Sequence, residues 1–126
     1  MLDMNPGIRA QWTAALRSGE YEQGASYLRY KNAFCCLGVL CDLAVKDGVL
    51  AAPDEDPDEE DVWVYGEANA MLPEAVQDWA GLSESPVADV VVGDDCSPFP
   101  HELTHLNDDE SWTFAQIADA IDGGAA

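Results

Sequence analysis

The sequence predicts an α+β fold, a single small domain with about four to five helices packed on a small antiparallel sheet. Three observations lead there. Several segments place apolar residues at helical spacing between recognisable caps. Short β-branched runs stand apart from them, bounded by Gly, Pro, Asn and Asp. A chain of 126 residues with 48% hydrophobic content and four Trp is long and apolar enough to bury a core without cross-links. Residues 1–126 therefore form one domain.

The first helix is expected from Pro6 to Ser18. Asn5 suits its N-cap, Pro6 its first position, and Gly19 follows its last turn. Ile8, Trp12, Ala15 and Leu16 share its buried face, and Arg9 and Arg17 lie off it. Gly19 to Gly24 reads as a loop. Ser26 to Lys31 reads as a strand, with Tyr27 and Arg29 on one side and Leu28 and Tyr30 on the other. Lys31-Asn32-Ala33 should turn the chain.

Phe34 to Lys46 is the most apolar stretch and reads as the central buried helix, with Lys46 in its last turn and Gly48 beyond it. Gly38 inside it costs helix propensity, so another backbone should pack close there. Residues 51–61 are expected to be an acidic loop, since Pro53 to Asp61 holds seven carboxylates in nine residues together with two prolines. Val62 to Tyr65 follows as a short strand. Pro73 to Ala80 is a short helix burying Leu72, Val76 and Trp79. Val87 to Val92 is β-branched and reads as a strand, and Pro100 to Leu106 as two helical turns. In the last helix Thr113 and Gln116 make a capping box, Trp112 and Ile117 a staple, and Phe114, Ile117, Ala118 and Ile121 the buried stripe.

Charge is divided sharply along the chain. All five basic residues, Arg9, Arg17, Arg29, Lys31 and Lys46, lie in the first 46 positions, where four carboxylates leave a net of +1. Residues 47–126 carry 21 carboxylates and no Lys or Arg, so the whole chain is −20. Such a body repels nucleic acid and anionic membrane and attracts basic protein surfaces. No apolar run approaches the ~20 residues that span a bilayer, and the N-terminus lacks the pattern of a secretion signal. The expected location is the cytoplasm. Cys35, Cys36, Cys41 and Cys96 form no C-x-x-C pair, which suits reduced, buried thiols.

Several segments together resemble a family of small proteins from tailed bacteriophages. They are Leu16-Arg17-Ser18-Gly19-Glu20-Tyr21-Glu22-Gln23-Gly24, Leu28-Arg29, Phe34-Cys35-Cys36-Leu37-Gly38-Val39-Leu40-Cys41-Asp42-Leu43-Ala44, Leu72-Pro73, Trp79-Ala80-Gly81-Leu82 and Leu106-Asn107-Asp108, with the Phe114-to-Ile121 helix. The resemblance implies phage origin, an accessory role and a location in the cytoplasm of the infected bacterial host. It supplies no catalytic residues and no cofactor. The acidic insertion and the two histidines depart from that pattern.

Four constellations bear on chemistry. His101-Glu102-Leu103-Thr104-His105 matches H-E-x-x-H, which on a helix sets two imidazoles on one face for Zn²⁺ with Glu102 as general base. Cys96 with His101 and His105 offers a structural variant of that zinc site, Cys41 being a possible fourth ligand. Cys35 and Cys36 open a helix, where the macrodipole favours a thiolate. Arg17, Ser18, Tyr21, Gln23, Arg29 and Lys31 gather the positive charge and suit a nucleotide-sized anion, unless Arg17 and Arg29 pair internally with Glu20, Glu22 or Asp42.

The leading expectation is non-enzymatic. An accessory, host-modulating protein acting against a defence system would dock its acidic surface on a basic host protein, as a DNA mimic does. Asp54, Glu55, Asp56, Asp58, Glu59, Glu60, Asp61, Asp94, Asp95, Asp108, Asp109 and Glu110 are its candidate contacts, and Trp63, Phe99 and Trp112 its candidate apolar anchors. Capture of a small nucleotide and zinc-dependent hydrolysis are the alternatives.

Overall fold

Helices around one buried helix make the body of the fold, and three small sheets edge it. The computed structural model describes residues 2–123. Its helices are α1 (Pro6–Arg17), α2 (Cys36–Lys46), α3 (Glu74–Ala80), α4 (Leu103–Asp108) and α5 (Phe114–Asp122). Its strands are β1 (Glu22–Gln23), β2 (Arg29–Tyr30), β3 (Ala33–Phe34), β4 (Asp54–Glu55), β5 (Trp63–Val64), β6 (Val87–Val90) and β7 (Phe99–Glu102). The fold is α+β, as the sequence predicts. Its β structure is divided into an order β1-β3-β2, a β4-β5 pair and a β6-β7 pair. All pairings are antiparallel except β1 with β3, which is parallel.

Helix α2 is central because it is apolar on nearly every side. Leu37, Val39, Leu40 and Cys41 are wholly inaccessible to solvent. The Cys35 thiol caps its start, accepting from the Gly38 amide at 3.4 Å. The close approach expected at Gly38 is present. A Cβ added there would lie 1.7 Å from the Leu28 carbonyl oxygen and 2.7 Å from its carbon. That carbonyl also accepts from the Cys35 amide at 3.2 Å. The chain before α2 is thus pressed flat against the helix's first turn.

Helix α1 crosses beside α2. Asn5 caps it through bonds from the Gly7 and Ile8 amides, and the buried Trp12 indole donates to the Cys36 carbonyl at 3.0 Å. Its other neighbour is α5, whose Thr113–Gln116 capping box is fully formed. Phe114, Ile117, Ala118 and Ile121 are buried as the stripe requires. The amide of Leu2 donates to the Ile121 carbonyl at 2.8 Å, which brings the first and last described segments together.

Local structure departs from sequence expectation where pairing is non-local. Glu22–Gln23 lies in the segment expected to be a loop, yet pairs with Ala33–Phe34. The strand expected over Ser26 to Lys31 shrinks to Arg29–Tyr30, and its alternation breaks, since Leu28 is buried and Tyr30 is 41% exposed. Phe34 leaves the expected α2 and joins β3, opposite Arg29. The acidic stretch is not wholly a loop: Asp54–Glu55 pairs with Trp63–Val64 to make a hairpin. A two-residue strand keeps both prolines outside the ladder, and most of its carboxylates point to water, which relieves their repulsion. The helix expected from Pro100 to Leu106 begins only at Leu103, because Phe99 to Glu102 pair residue by residue with Val90 to Val87.

Gly38→Ala is expected to destabilise by about 3 kcal/mol or more, since backbone cannot yield as a side chain would. Thr113→Ala should cost about 1 kcal/mol for one lost cap. Chemical denaturation of both variants checks the order; equal costs would mean that α2 tolerates a wider separation from Leu28.

Candidate functional site

The basic residues gathered in sequence are dispersed among different partners in space. Arg17 reaches α5, its guanidinium 2.9 Å from Asp122 and 2.8 Å from Asp119, while Arg9 stands 3.9 Å from Asp122. Internal pairing therefore occurs, but with the last helix rather than with Glu20, Glu22 or Asp42. Ser18 stays local, donating to the Ala15 carbonyl at 2.6 Å. The Tyr21 hydroxyl donates to Asp42 and accepts from Lys46 at 3.1 Å, while its ring meets Phe34 edge-on. Burial and the Asp42 carboxylate hold the Tyr21 phenol above its ordinary value.

Gln23 fastens the α4–α5 joint. Its amide donates to Asn107 at 2.9 Å and to the Trp112 carbonyl at 2.7 Å, and accepts from the Phe114 amide at 3.1 Å. Arg29 lies over the Trp63 ring at 4.6 Å and donates to the Lys31 carbonyl at 2.8 Å. Lys31 is exposed over Tyr30. Arg17 and Gln23 thus brace different joints, whereas Tyr21 and Arg29 both pack on Phe34, the Arg29 guanidinium 5.3 Å from its ring centroid; the six residues do not converge on one place.

The H-E-x-x-H motif is split between two elements. His101 and Glu102 belong to β7 and His105 to α4, so the two imidazoles do not share a helix face. Their rings nevertheless stack, with centroids 5.8 Å apart and planes at 11°. Both His105 nitrogens face carboxylates, Asp109 at 3.0 Å and Glu110 at 3.3 Å, and His101 faces Asp95 at 3.4 Å. Cys96 is exposed whereas Cys41 is sealed in the core. Among the described residues no group of three His, Cys, Asp or Glu side chains is disposed to hold one metal ion. These residues do not fit the zinc centre that the spacing suggested.

The remaining cysteines are packing residues. Burial pushes the Cys35 thiol up to about 12, and the Cys36 and Cys41 thiols well above their ordinary 9.0. Desolvation thereby outweighs the pull of the α2 N-terminus.

The acidic residues fall into two groups. Asp54, Glu55, Asp58, Glu59 and Glu60 are exposed on the β4–β5 hairpin, with Asp56 and Asp61 half-buried. Their bonds are to neutral groups: Tyr27 donates to Glu59 at 3.3 Å, Asn69 to Asp56 at 3.3 Å and the Asp58 amide to Asp56 at 2.8 Å. In the second group Asp95, Asp109 and Glu110 face histidines, Asp108 accepts from Asn107 at 2.7 Å, and Asp94 is exposed. Of the expected anchors, Phe99 is 50% exposed. Trp63 and Trp112 are half-buried.

The sequence pattern of a family described as a domain of unknown function (DUF8296) matches residues 4–124, nearly the whole chain. The chain belongs to that family. No curated protein and no solved structure matches it. Among the described residues no helix is long and apolar enough to cross a membrane.

Two outcomes follow for the thiols. A disulfide reagent should modify one cysteine rapidly in the native protein, Cys96, and all four only after denaturation. Because folded Cys35 ionises near 12 instead of 9.0, its contribution to stability is complete below about pH 9 and declines as pH rises towards 12. Unfolding free energy measured from pH 7 upward should therefore fall above pH 9, less steeply in Cys35→Ala; rapid labelling of Cys35 at neutral pH would contradict this.

Proposed function

We propose that this protein is a non-catalytic binder that docks an acidic surface on a positively charged protein, as a DNA mimic would. The observation that carries the reading is the β4–β5 hairpin. Its seven carboxylates from Asp54 to Asp61 have no Lys, Arg or His nitrogen within 4.0 Å among the described residues. Meanwhile Arg9, Arg17 and Lys46 neutralise Asp42, Asp119 and Asp122. Three of the five cations are thus held by helix carboxylates, and Arg29, although it packs on Trp63 of the hairpin, forms no ion pair with the hairpin's carboxylates.

Exposed like charges held together are unfavourable for the isolated protein, and a basic partner relieves that repulsion. Such attraction accelerates encounter and is screened by salt. The resemblance to phage accessory proteins supports a host protein as the partner and a defence component as its class. A role in the bacterial cytoplasm belongs to the same proposal.

The test is a pull-down from bacterial lysate repeated from low salt to roughly 1 M, where the Debye length is about 3 Å. A specific partner should be released progressively. It should also be lost when Asp54, Glu55, Asp58, Glu59 and Glu60 are replaced by their amides, with the melting temperature unchanged or higher. A partner retained at high salt by the neutralised hairpin would overturn the reading.

A further inference from the structure

We infer that the outer edge of β6 is a second binding site, one that takes an extended, basic segment of another protein as an added strand. The register of the β6–β7 pair establishes the edge. The Leu103 amide donates to the Pro86 carbonyl at 2.9 Å, one step beyond the Val87–Glu102 pair. Hydrogen-bonded and non-hydrogen-bonded pairs alternate in an antiparallel ladder. Ala88 with His101 and Val90 with Phe99 are therefore the bonded pairs. Val87 and Asp89 turn their N–H and C=O groups away from β7, and these groups meet no backbone or side-chain partner among the described residues. Pro100, which has no N–H to give, stands opposite Asp89, where none is needed inside the ladder.

That open edge borders a groove of about 380 Å³. Residues 86–89 form one wall; Leu2, Asp3, Leu82 and Ala120 contribute to the rest. No β7 residue lines it, so it lies on the side of β6 where a further strand would add. Val87 and Val91 are each 47% exposed and Phe99 50%, so among the described residues three of the four exposed large apolar ones belong to this hairpin and its connection. Unpaired strand edges that carry exposed apolar residues take up extended chains, with the backbone supplying affinity and alternate side chains supplying specificity.

Charge selects the occupant. Asp3 and Asp89 both line the groove, and the molecule as a whole is −20. A second copy of this chain would set Asp89 against another acidic edge, which like-charge repulsion opposes. An incoming segment that alternates Lys or Arg with Val or Leu places its cations beside Asp3 and Asp89 and its apolar side chains against Leu2 and Leu82. The sign of that partner's charge rests on the acidic-binder reading above; the edge itself rests on the strand register alone.

The probe is an octapeptide alternating Lys and Val, compared with its Glu/Val counterpart, titrated into the full-length ¹⁵N-labelled protein. The Lys/Val peptide should shift the Val87, Asp89 and Val91 amides and slow hydrogen exchange at Val87 and Asp89. Asp89→Pro removes from the outer edge both an N–H and the carboxylate beside it, and should weaken binding more than tenfold, since one lost backbone bond alone is worth about tenfold. Asp89→Lys, which keeps the N–H and covers the case in which the proline variant fails to fold, should weaken the Lys/Val peptide and admit the Glu/Val one. The inference is overturned if the peptide shifts only residues 54–61, an outcome that leaves the hairpin reading intact. It is equally overturned if both peptides bind alike, if neither Asp89 variant alters binding, or if the edge is occupied by a second copy in a dimer.

Discussion

The contact between the Leu28 carbonyl and Gly38 sets the spacing of the whole molecule. Because residue 38 has no side chain, a non-helical strip of backbone lies directly on the first turn of α2. That strip then runs into β2, turns through Lys31 at φ +54° and returns as β3, delivering the chain to the Cys35 cap. Helix α2 is consequently covered near its start by its own approach segment, while α1, α3 and α4 pack around it. A bulkier residue at position 38 would push the strip outward from the first turn of α2.

Polar contacts then join segments distant in sequence. Tyr21 meets Asp42 and Lys46, tying the loop after α1 to α2. Gln23 and Gly24 meet Asn107, tying that loop to α4, and Arg17 meets Asp119 and Asp122. The motifs that suggested a phage family, the Arg-Ser-Gly-x-Tyr-x-Gln run, the Cys-rich helix and Leu-Asn-Asp, touch one another across these joints. Asn107 is almost wholly buried yet its amide donates to Gly24 and accepts from Gln23, which is how a polar group persists in a core.

Signals that are local in the chain were legible, and those that require a distant partner were not. Asn5, Thr113 with Gln116, and the glycines ending helices all act within a few residues, so α1 and α5 could be read closely. Gly38 was legible as a close approach, although nothing in its neighbourhood names Leu28 as what approaches. The strands were harder, because several hold only two residues and exist through pairing alone. His101 and Glu102 illustrate the loss: beside Leu103 to His105 they read as helix, whereas the ladder to β6 claims them. The partners of Arg17 were hidden for a similar reason, since its carboxylates lie about a hundred positions away. The β7 strand left one faint mark in the sequence, a proline at position 100, where no N–H is needed for the ladder to β6.

The bond from the Leu2 amide to the Ile121 carbonyl, beside the Arg9 and Arg17 pairs with α5, makes the path of the chain a nearly closed ring. A ring has no privileged starting point. Joining the first and last described segments, at Leu2 and Gly123, through a short linker and cutting between Pro57 and Glu60, at the solvent-facing tip of the acidic hairpin, would leave α1, α2 and α5 with the same neighbours. Order of synthesis is thus a separable property of this architecture, and a permuted chain would begin and end at the anionic tip.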